Sequence, residues 1–176
     1  TADNLKTLAQ LLLSVDESRY ALDVLEAAMT EEQNRFDLHK LAFDIYVSRE
    51  EFDDALERVD TLEELADTPY LEKQALRLRV DVLAAAERLE QAYTLLNARI
   101  SDASQNCTMR DHWLAGMMAE TGRRPAQAIS HLESAVQLAP GDPRLLTQLA
   151  DLHQTTGNLS ESATLYEQLA DIEPSN

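Results

Sequence analysis

The side chains able to do chemistry in this chain are four histidines (His39, His112, His131 and His153), one cysteine (Cys107) and 32 acidic residues. Nucleophilic catalysis needs a thiol or hydroxyl with an imidazole held beside it, and a zinc site needs His and Cys at short, regular spacing. Cys107 and His112 are near neighbours, but the other histidines are scattered and no HExxH pattern occurs. Acidic pairs such as Glu50/Glu51, Asp53/Asp54 and Glu63/Glu64 lack the loop spacing and the glycine of a calcium-binding hand. With so many carboxylates, arbitrary pairs carry no signal for a glycosidase. The four glycines, Gly116, Gly122, Gly141 and Gly157, form no phosphate-cradling loop and are accounted for by close packing and turns. The expectation is a chain that is not an enzyme and uses no metal or cofactor.

Charge narrows the partners. The 15 basic residues leave a formal net charge of −17 and a pI near 4.4. A nucleic-acid binder needs a positive footprint for phosphate, so this chain repels nucleic acid and anionic lipid while attracting a basic protein surface at long range. A single cysteine permits no internal disulfide. No apolar run approaches the roughly 20 residues of a membrane span. The opening TADNLKTLAQLLLSV lacks the basic flank and cleavage motif of a signal peptide and starts on Thr, which fits a processed chain or an excised segment.

These residues must be carried by helices. Glycine and proline are scarce, and Ala128, Leu132 and Ala135 fall at i, i+4 and i+7 before Pro140 and Gly141 end the run. The same phrase recurs as Ala21/Leu25/Ala28, Ala55/Val59/Leu62, Ala92/Leu96 and, more weakly, Ser162/Tyr166/Leu169. The anchors at 21, 55, 92, 128 and 162 are separated by 34, 37, 36 and 34 residues. A period of that size indicates a solenoid of helix pairs. First (A) helices are expected at Asn4 to Leu13, Leu38 to Ser48, Leu71 to Ala85, Arg110 to Glu120 and Pro143 to Gln154. Their partners (B) are expected at Arg19 to Met29, Phe52 to Leu65, Leu89 to Ile100, Pro125 to Leu138 and Leu159 to Ile172. Tyr20, Tyr46, Tyr70, Tyr93 and Tyr166 read as packing between helices.

The pattern resembles the tetratricopeptide repeat family. The fourth unit carries it best, through Gly116, Ala128, Leu132, Ala135 and Pro140, with Gly122 in its turn. The fifth follows with Ala150, Gly157, Tyr166 and Pro174 but has Ser162 and Leu169 where small residues are usual, and the first offers Ala9, Ala21, Leu25 and Ala28. The second and third are looser, with Phe43 and Val80 at the first small position, Arg99 at a later one, and extra residues expected in linkers at Asp67 to Tyr70 and Ser101 to Thr108. The resemblance implies an all-α, right-handed superhelical solenoid of about five TPR-like helix–turn–helix repeats. It would form a single array over 1–176, with repeats at about 2–35, 36–72, 73–108, 109–142 and 143–176.

In that family the A helices line a concave groove. Carried onto this sequence, the resemblance implies partner-binding positions at Lys6, Gln10, Lys40, Asp44, Arg77, Asp81, Arg110, Trp113, Met117, Arg144, Gln148 and Asp151, with Glu120 and Gln154 beside them. Lys40/Asp44 and Arg77/Asp81 are four apart and can neutralise each other, for a few tenths of a kcal/mol. The family's carboxylate clamp puts Lys and Asn where this chain has Lys6 with Gln10 and Lys40 with Asp44, so that recognition is disfavoured. Trp113, the only tryptophan, sits either on the groove as an anchor or, with a one-residue shift of register, in the core.

The functional expectation is a non-catalytic protein-interaction scaffold, presenting a groove and an acidic surface within a larger assembly, whose protein partner has a basic or mixed-charge surface. The Arg-rich, Lys-poor acidic composition also resembles the periplasmic repeat regions of large bacterial exopolysaccharide secretion proteins. That implies a second reading: recruiting a polymer-modifying enzyme or guiding a cationic polysaccharide, with the bacterial periplasm and the cytoplasm both open as its compartment. A third is a structural spacer. Apolar residues at both outer ends, Leu11 to Leu13 and Leu165, Leu169 and Ile172, suit flanking repeats or self-association.

Overall fold

The computed structural model describes residues 1–102 and 107–172. Pro174, singled out by the repeat pattern, and positions 103–106 of the expected Ser101 to Thr108 linker lie outside them. Among the described residues the chain is all-α, with ten helices: α1 (Ala2–Ser14), α2 (Ser18–Glu31), α3 (Phe36–Ser48), α4 (Phe52–Glu64), α5 (Pro69–Ala85), α6 (Leu89–Ser101), α7 (Met109–Thr121), α8 (Pro125–Leu138), α9 (Pro143–Thr155) and α10 (Leu159–Ile172). Odd-numbered helices are the A helices and even-numbered ones the B helices. The order is that of about five tandem helix–turn–helix repeats in an α-solenoid.

The chain divides into two compact units, Thr1–Arg88 and Leu89–Asn176, with the boundary inside the third repeat. In the first unit, α1 packs on α2, α2 on α3, α3 on α4 and α4 on α5. One core cluster gathers Ala9, Ala21, Leu25, Ala28, Leu38, Ala42 and Ile45, and a second gathers Phe43, Ala55, Val59, Leu62, Ala75 and Val82. In the second unit, α6 to α10 pack in chain order, and Ala92, Leu96, Ala128, Leu132 and Ala135 are buried. Thus the first four of the repeated phrases are the inward faces of their B helices. Helices this short are marginal alone, so the burial of these stripes supplies their stability.

The turn inside every repeat has one geometry. Asp16, Glu50, Glu87, Arg123 and Gly157 take φ of 63°, 60°, 59°, 57° and 85°, at the same intervals as the B-helix anchors. The next residue's N–H donates to the carbonyl five residues back: Glu17 to Leu12, Glu51 to Tyr46, Arg88 to Leu83, Arg124 to Ala119 and Asn158 to His153, at 2.8–2.9 Å. A left-handed residue with this bond closes a helix C-terminus by satisfying orphan carbonyls. In the four repeats that lie within one unit it also reverses the chain in two residues, bringing the B helix back onto its A helix.

The expected helices match within two or three residues at each end, and the differences have local causes. Pro69 and Tyr70 belong to the first turn of α5 rather than to a linker. Pro suits the first helical position, and Thr68 Oγ1 accepts from Leu71 N at 3.3 Å as N-cap. Much of the extra length of the third repeat therefore becomes helix, 17 residues in α5. The tyrosines depart from the packing role expected of them. Tyr93 is buried and Tyr46 half-buried, but Tyr20, Tyr70 and Tyr166 are exposed.

Candidate functional site

In the first unit the lysines of α1 and α3 are already answered. Lys6 Nζ on α1 donates to Asp37 Oδ2 at 2.6 Å, and Arg35 donates to Asp37, Glu32 and Asp3 at 2.8–3.0 Å. Arg35 first, then Lys6, hold the Asp37 carboxyl far below the usual carboxylate range, and the three carboxylates raise Arg35 in turn. Lys40 Nζ donates to both oxygens of Asp44, at 3.0 and 2.7 Å, as the four-residue spacing implies. Gln10, Arg77 and Asp81 are exposed. Ties one repeat apart continue the pattern: Arg58 donates to Glu26, Arg49 to Ser18 and Arg88 to Asp53.

In the second unit the A helices enclose a cleft. Helix α7 starts at a reciprocal cap, in which Asp111 N donates to Thr108 Oγ1 and Thr108 N donates to Asp111 Oδ2 at 2.8 Å. Helix α9 starts at Asp142, whose Oδ1 accepts from Arg144 N at 2.9 Å, with Pro143 at its first position. These caps set the first turns that carry Arg110 and Arg144 at the second helical position of their helices. The Trp113 indole Nε1 donates to Gln148 Oε1 at 2.7 Å, joining α7 to α9. Met109, Arg110, Trp113, Asp142, Arg144, Leu145 and Gln148 line a cleft of about 390 Å³ between these turns.

Of the sequence-expected groove positions, the structure therefore brings together Arg110, Trp113, Arg144 and Gln148. Trp113 is half-buried, with its N–H committed to Gln148. Met117 is half-buried one turn further along α7 and does not line the cleft, while exposed Asp151 accepts the hydroxyl of Tyr166 and thereby raises that phenol's pKa. Sequence reasoning missed Met109, Asp142 and Leu145 as lining. The cap pattern Thr108-x-x-Asp111 and the Asp142–Pro143 pair were the available signals, since they locate the helix starts that these residues occupy.

The histidines are structural. His39 Nε2 lies 3.0 Å from Gln33 O and its Nδ1 lies 3.1 Å from Arg58 Nη1. Since a carbonyl only accepts and a guanidinium only donates, the ring is the neutral Nε2–H tautomer. Burial, before any other cause, lowers its pKa. His112 and His131 sit with ring centroids 6.1 Å apart, and Tyr93 meets His131 edge-on at 5.9 Å. Both imidazoles are pushed below 6.5, chiefly by burial, and His131 further by repulsion from His112. Buried His153 pairs through Nδ1 with Asn158 Nδ2 at 3.2 Å. Among the described residues no three His, Cys, Asp or Glu side chains are grouped to hold a metal. No described helix is long and apolar enough to cross a membrane.

Paired short helices, a left-handed turn in each repeat and a cleft between the A helices α7 and α9 are the features of an α-solenoid of helix–turn–helix repeats. Residues 122–176 match the family model described as tetratricopeptide repeat. Solved structures share the fold over nearly the whole chain. "MamA 41-end from Desulfovibrio magneticus RS-1" is 17% identical, covering 99% of this chain and 96% of that one at a TM-score of 0.75. "YrrB: a TPR protein with an unusual peptide-binding site" is 17% identical, covering 100% and 88% at 0.68. The Pseudomonas aeruginosa pilF structure is 19% identical, covering 99% and 78% at 0.67. No curated protein sequence matches the chain.

Proposed function

We propose that this chain is a non-catalytic protein-interaction scaffold whose recognition face is carried by its A helices, with the α7–α9 cleft as the principal contact for a linear peptide. The observation that carries this reading is Trp113. The sole tryptophan is held half-buried by Gln148 in a cleft with apolar walls and polar rims. An indole presented in that way offers a large, rigid contact at little entropic cost. The similarity in fold to YrrB, whose structure is described as having a peptide-binding site, supports it. Lys6, Gln10, Lys40, Asp44, Arg77 and Asp81 would make secondary contacts, and Met117 and Asp151 would flank the cleft. The net charge of −17 draws in a partner whose overall surface is basic or mixed.

Selection of a displayed random-peptide library on the immobilised chain tests this. Enriched peptides that compete with one another and lose binding to Trp113→Ala, at unchanged thermal stability, are expected. Absence of any enriched peptide refutes the reading.

The same acidic surface favours a second reading, that of a segment in a bacterial exopolysaccharide export protein such as PelB, placed in the periplasm and guiding a cationic polymer. Chitosan oligomers binding at 0.15 M salt would be the expected result, and binding that vanishes between low and physiological salt would reject it as non-specific.

A further inference from the structure

One pair of repeat positions is titratable in alternate units. Sixteen residues before the anchors Ala55 and Ala128 stand His39 and His112, on the A helices α3 and α7, and three residues after them stand Arg58 and His131, on the B helices α4 and α8. In the first, third and fifth repeats the same two positions are apolar: Leu5 with Val24, Leu76 with Leu95 and Leu146 with Leu165. The structure brings both titratable pairs together. His39 Nδ1 lies 3.1 Å from Arg58 Nη1, and the His112 and His131 ring centroids lie 6.1 Å apart.

Neutral His39 fills a three-way junction. Its Nε2–H donates to the Gln33 carbonyl between α2 and α3, and its Nδ1 accepts from Arg58, whose Nη2 donates to Glu26 Oε1 on α2 at 2.7 Å. A protonated imidazole donates from both nitrogens, so no flip or tautomer restores an acceptor to Arg58. The ring is only 6% exposed and would carry its charge against a guanidinium at contact range. Burial is the largest influence holding the proton off, with Arg58 adding to it, while the Gln33 carbonyl and the Glu26 carboxylate favour the proton. The charges beside His39 on α3 are engaged elsewhere, Asp37 by Arg35 and Lys6, and Lys40 by Asp44.

In the fourth repeat, His112 Nδ1 is buried without a hydrogen-bond partner among the described residues, so a proton placed there becomes an unsatisfied N–H. Burial opposes charge on His112 most, against the pull of Asp111, whose Oδ2 already accepts from the Thr108 N–H and hydroxyl. Arg99 of α6 lies 4.0 Å from the same carboxylate. On His131 burial again leads, and repulsion from His112 adds to it. Tyr93 of α6 meets His131 edge-on, and over the Tyr93 ring lies Arg124, itself paired with Glu90.

We propose that these pairs make the second and fourth repeats acid-operated: neutral imidazoles hold α3 on α4 and α7 on α8, and protonation sets two cations face to face, opening those repeats before the others. One proton suffices in the second repeat, because Arg58 is already charged. The fourth needs two, because both members titrate. Released from His39, Arg58 has Asp54 available, four residues earlier on α4 and lining the same small pocket. The tie from Arg58 to Glu26 of α2 is then lost. None of this depends on what the chain binds, so it stands or falls apart from the scaffold reading.

Amide hydrogen exchange of the intact chain at pH 7.5 and 5.5, corrected for intrinsic rates, tests the proposal helix by helix; carboxylates of ordinary pKa stay ionised at both values. Opening of α3, α4, α7 and α8 is expected to rise at least about threefold relative to α1 and α5, which hold no histidine. His39→Gln keeps a donor and an acceptor but takes no proton. It should abolish the rise in α3 and α4 and leave that in α7 and α8, whereas His112→Gln should remove most of the rise in α7 and α8 and leave that in α3 and α4. Circular dichroism at pH 7.5 checks that each variant folds, and the response of the parent decides the matter where one does not. An equal rise in all helices, no rise in these four, a response in only one of the two repeats, or one that survives undiminished in the repeat substituted, overturns the inference.

Discussion

Four of the five left-handed turn residues carry side chains, and this makes the turns a graded test of the fold's local energetics. An L-residue at positive φ costs about 1 kcal/mol, which glycine avoids, while glycine gives back about 0.5–1 kcal/mol through the freedom of the unfolded chain. Glu50, with φ 60°, is exposed, so its replacement removes no packing. It also places an anion at the negative end of α3, and an exposed charge there costs about 0.3–1 kcal/mol. Glu50→Gly should therefore stabilise the first unit by about 0.5–1 kcal/mol. Arg123, with φ 57°, has the favourable sign for a helix C-terminus, so Arg123→Gly should be close to neutral. Glu50→Gln isolates the charge and should recover only part of the gain. Gly157→Ala, by the same balance, should lose no more than about 0.5 kcal/mol. Urea unfolding followed at 222 nm reads all four, a 1 kcal/mol change moving the midpoint by about half a molar. A lower midpoint for Glu50→Gly, or equal gains for Glu50→Gly and Arg123→Gly, would refute the reasoning.

Acid should weaken the fold before its carboxylates titrate. His39, His112 and His131 have pKa values lowered from 6.5 in the fold, so below pH 6.5 the unfolded chain binds protons first. Stability is then complete above 6.5, declines as pH falls, and levels off under the folded values. The urea midpoint should be lower at pH 5 than at 7.5 and the difference smaller in His131→Gln; a flat profile would contradict the burial assigned to these rings. Ala128→Asp, placing a charge at a fully buried position, should cost about 2–5 kcal/mol, and an unchanged melt would show the repeat register to be wrong. Gly116→Ala sets a methyl 3.0 Å from Leu132 Cγ. Overpacking of about 1–3 kcal/mol exceeds the ~1 kcal/mol gain in helix propensity, so a lower melting temperature is expected.

The helix pairs were legible because burial repeats with the chain: Ala21, Ala55, Ala92 and Ala128 are all at 0% exposure, and their spacing is visible without coordinates. The fifth anchor behaved differently. Ser162 is buried but Tyr166 is exposed, because α10 packs on α9 without the second neighbour that α2, α4 and α8 have among the described residues. The turns were much less legible. Glycine marks the left-handed position only at Gly157, and in the fourth repeat that position falls to Arg123, one residue beyond Gly122, because the end of the hydrogen-bond ladder decides it. At the candidate site, the family resemblance placed Arg110, Trp113, Arg144 and Gln148 among the groove positions. It could not supply the indole–amide bond, because a one-residue rotation of α7 would have buried the same ring. The neutralisation of Lys6 by Asp37 was equally hidden, since it joins side chains of different repeats.

Every major packing contact within each unit joins helices consecutive in the chain. Within each unit, a nascent chain leaving the ribosome would therefore find the partner of every helix after the first already present in the helix made just before it. Little of the chain would have to wait, unprotected, for a segment still to be synthesised, and the interval in which apolar stripes lie open to aggregation would be about the time needed to make one more helix.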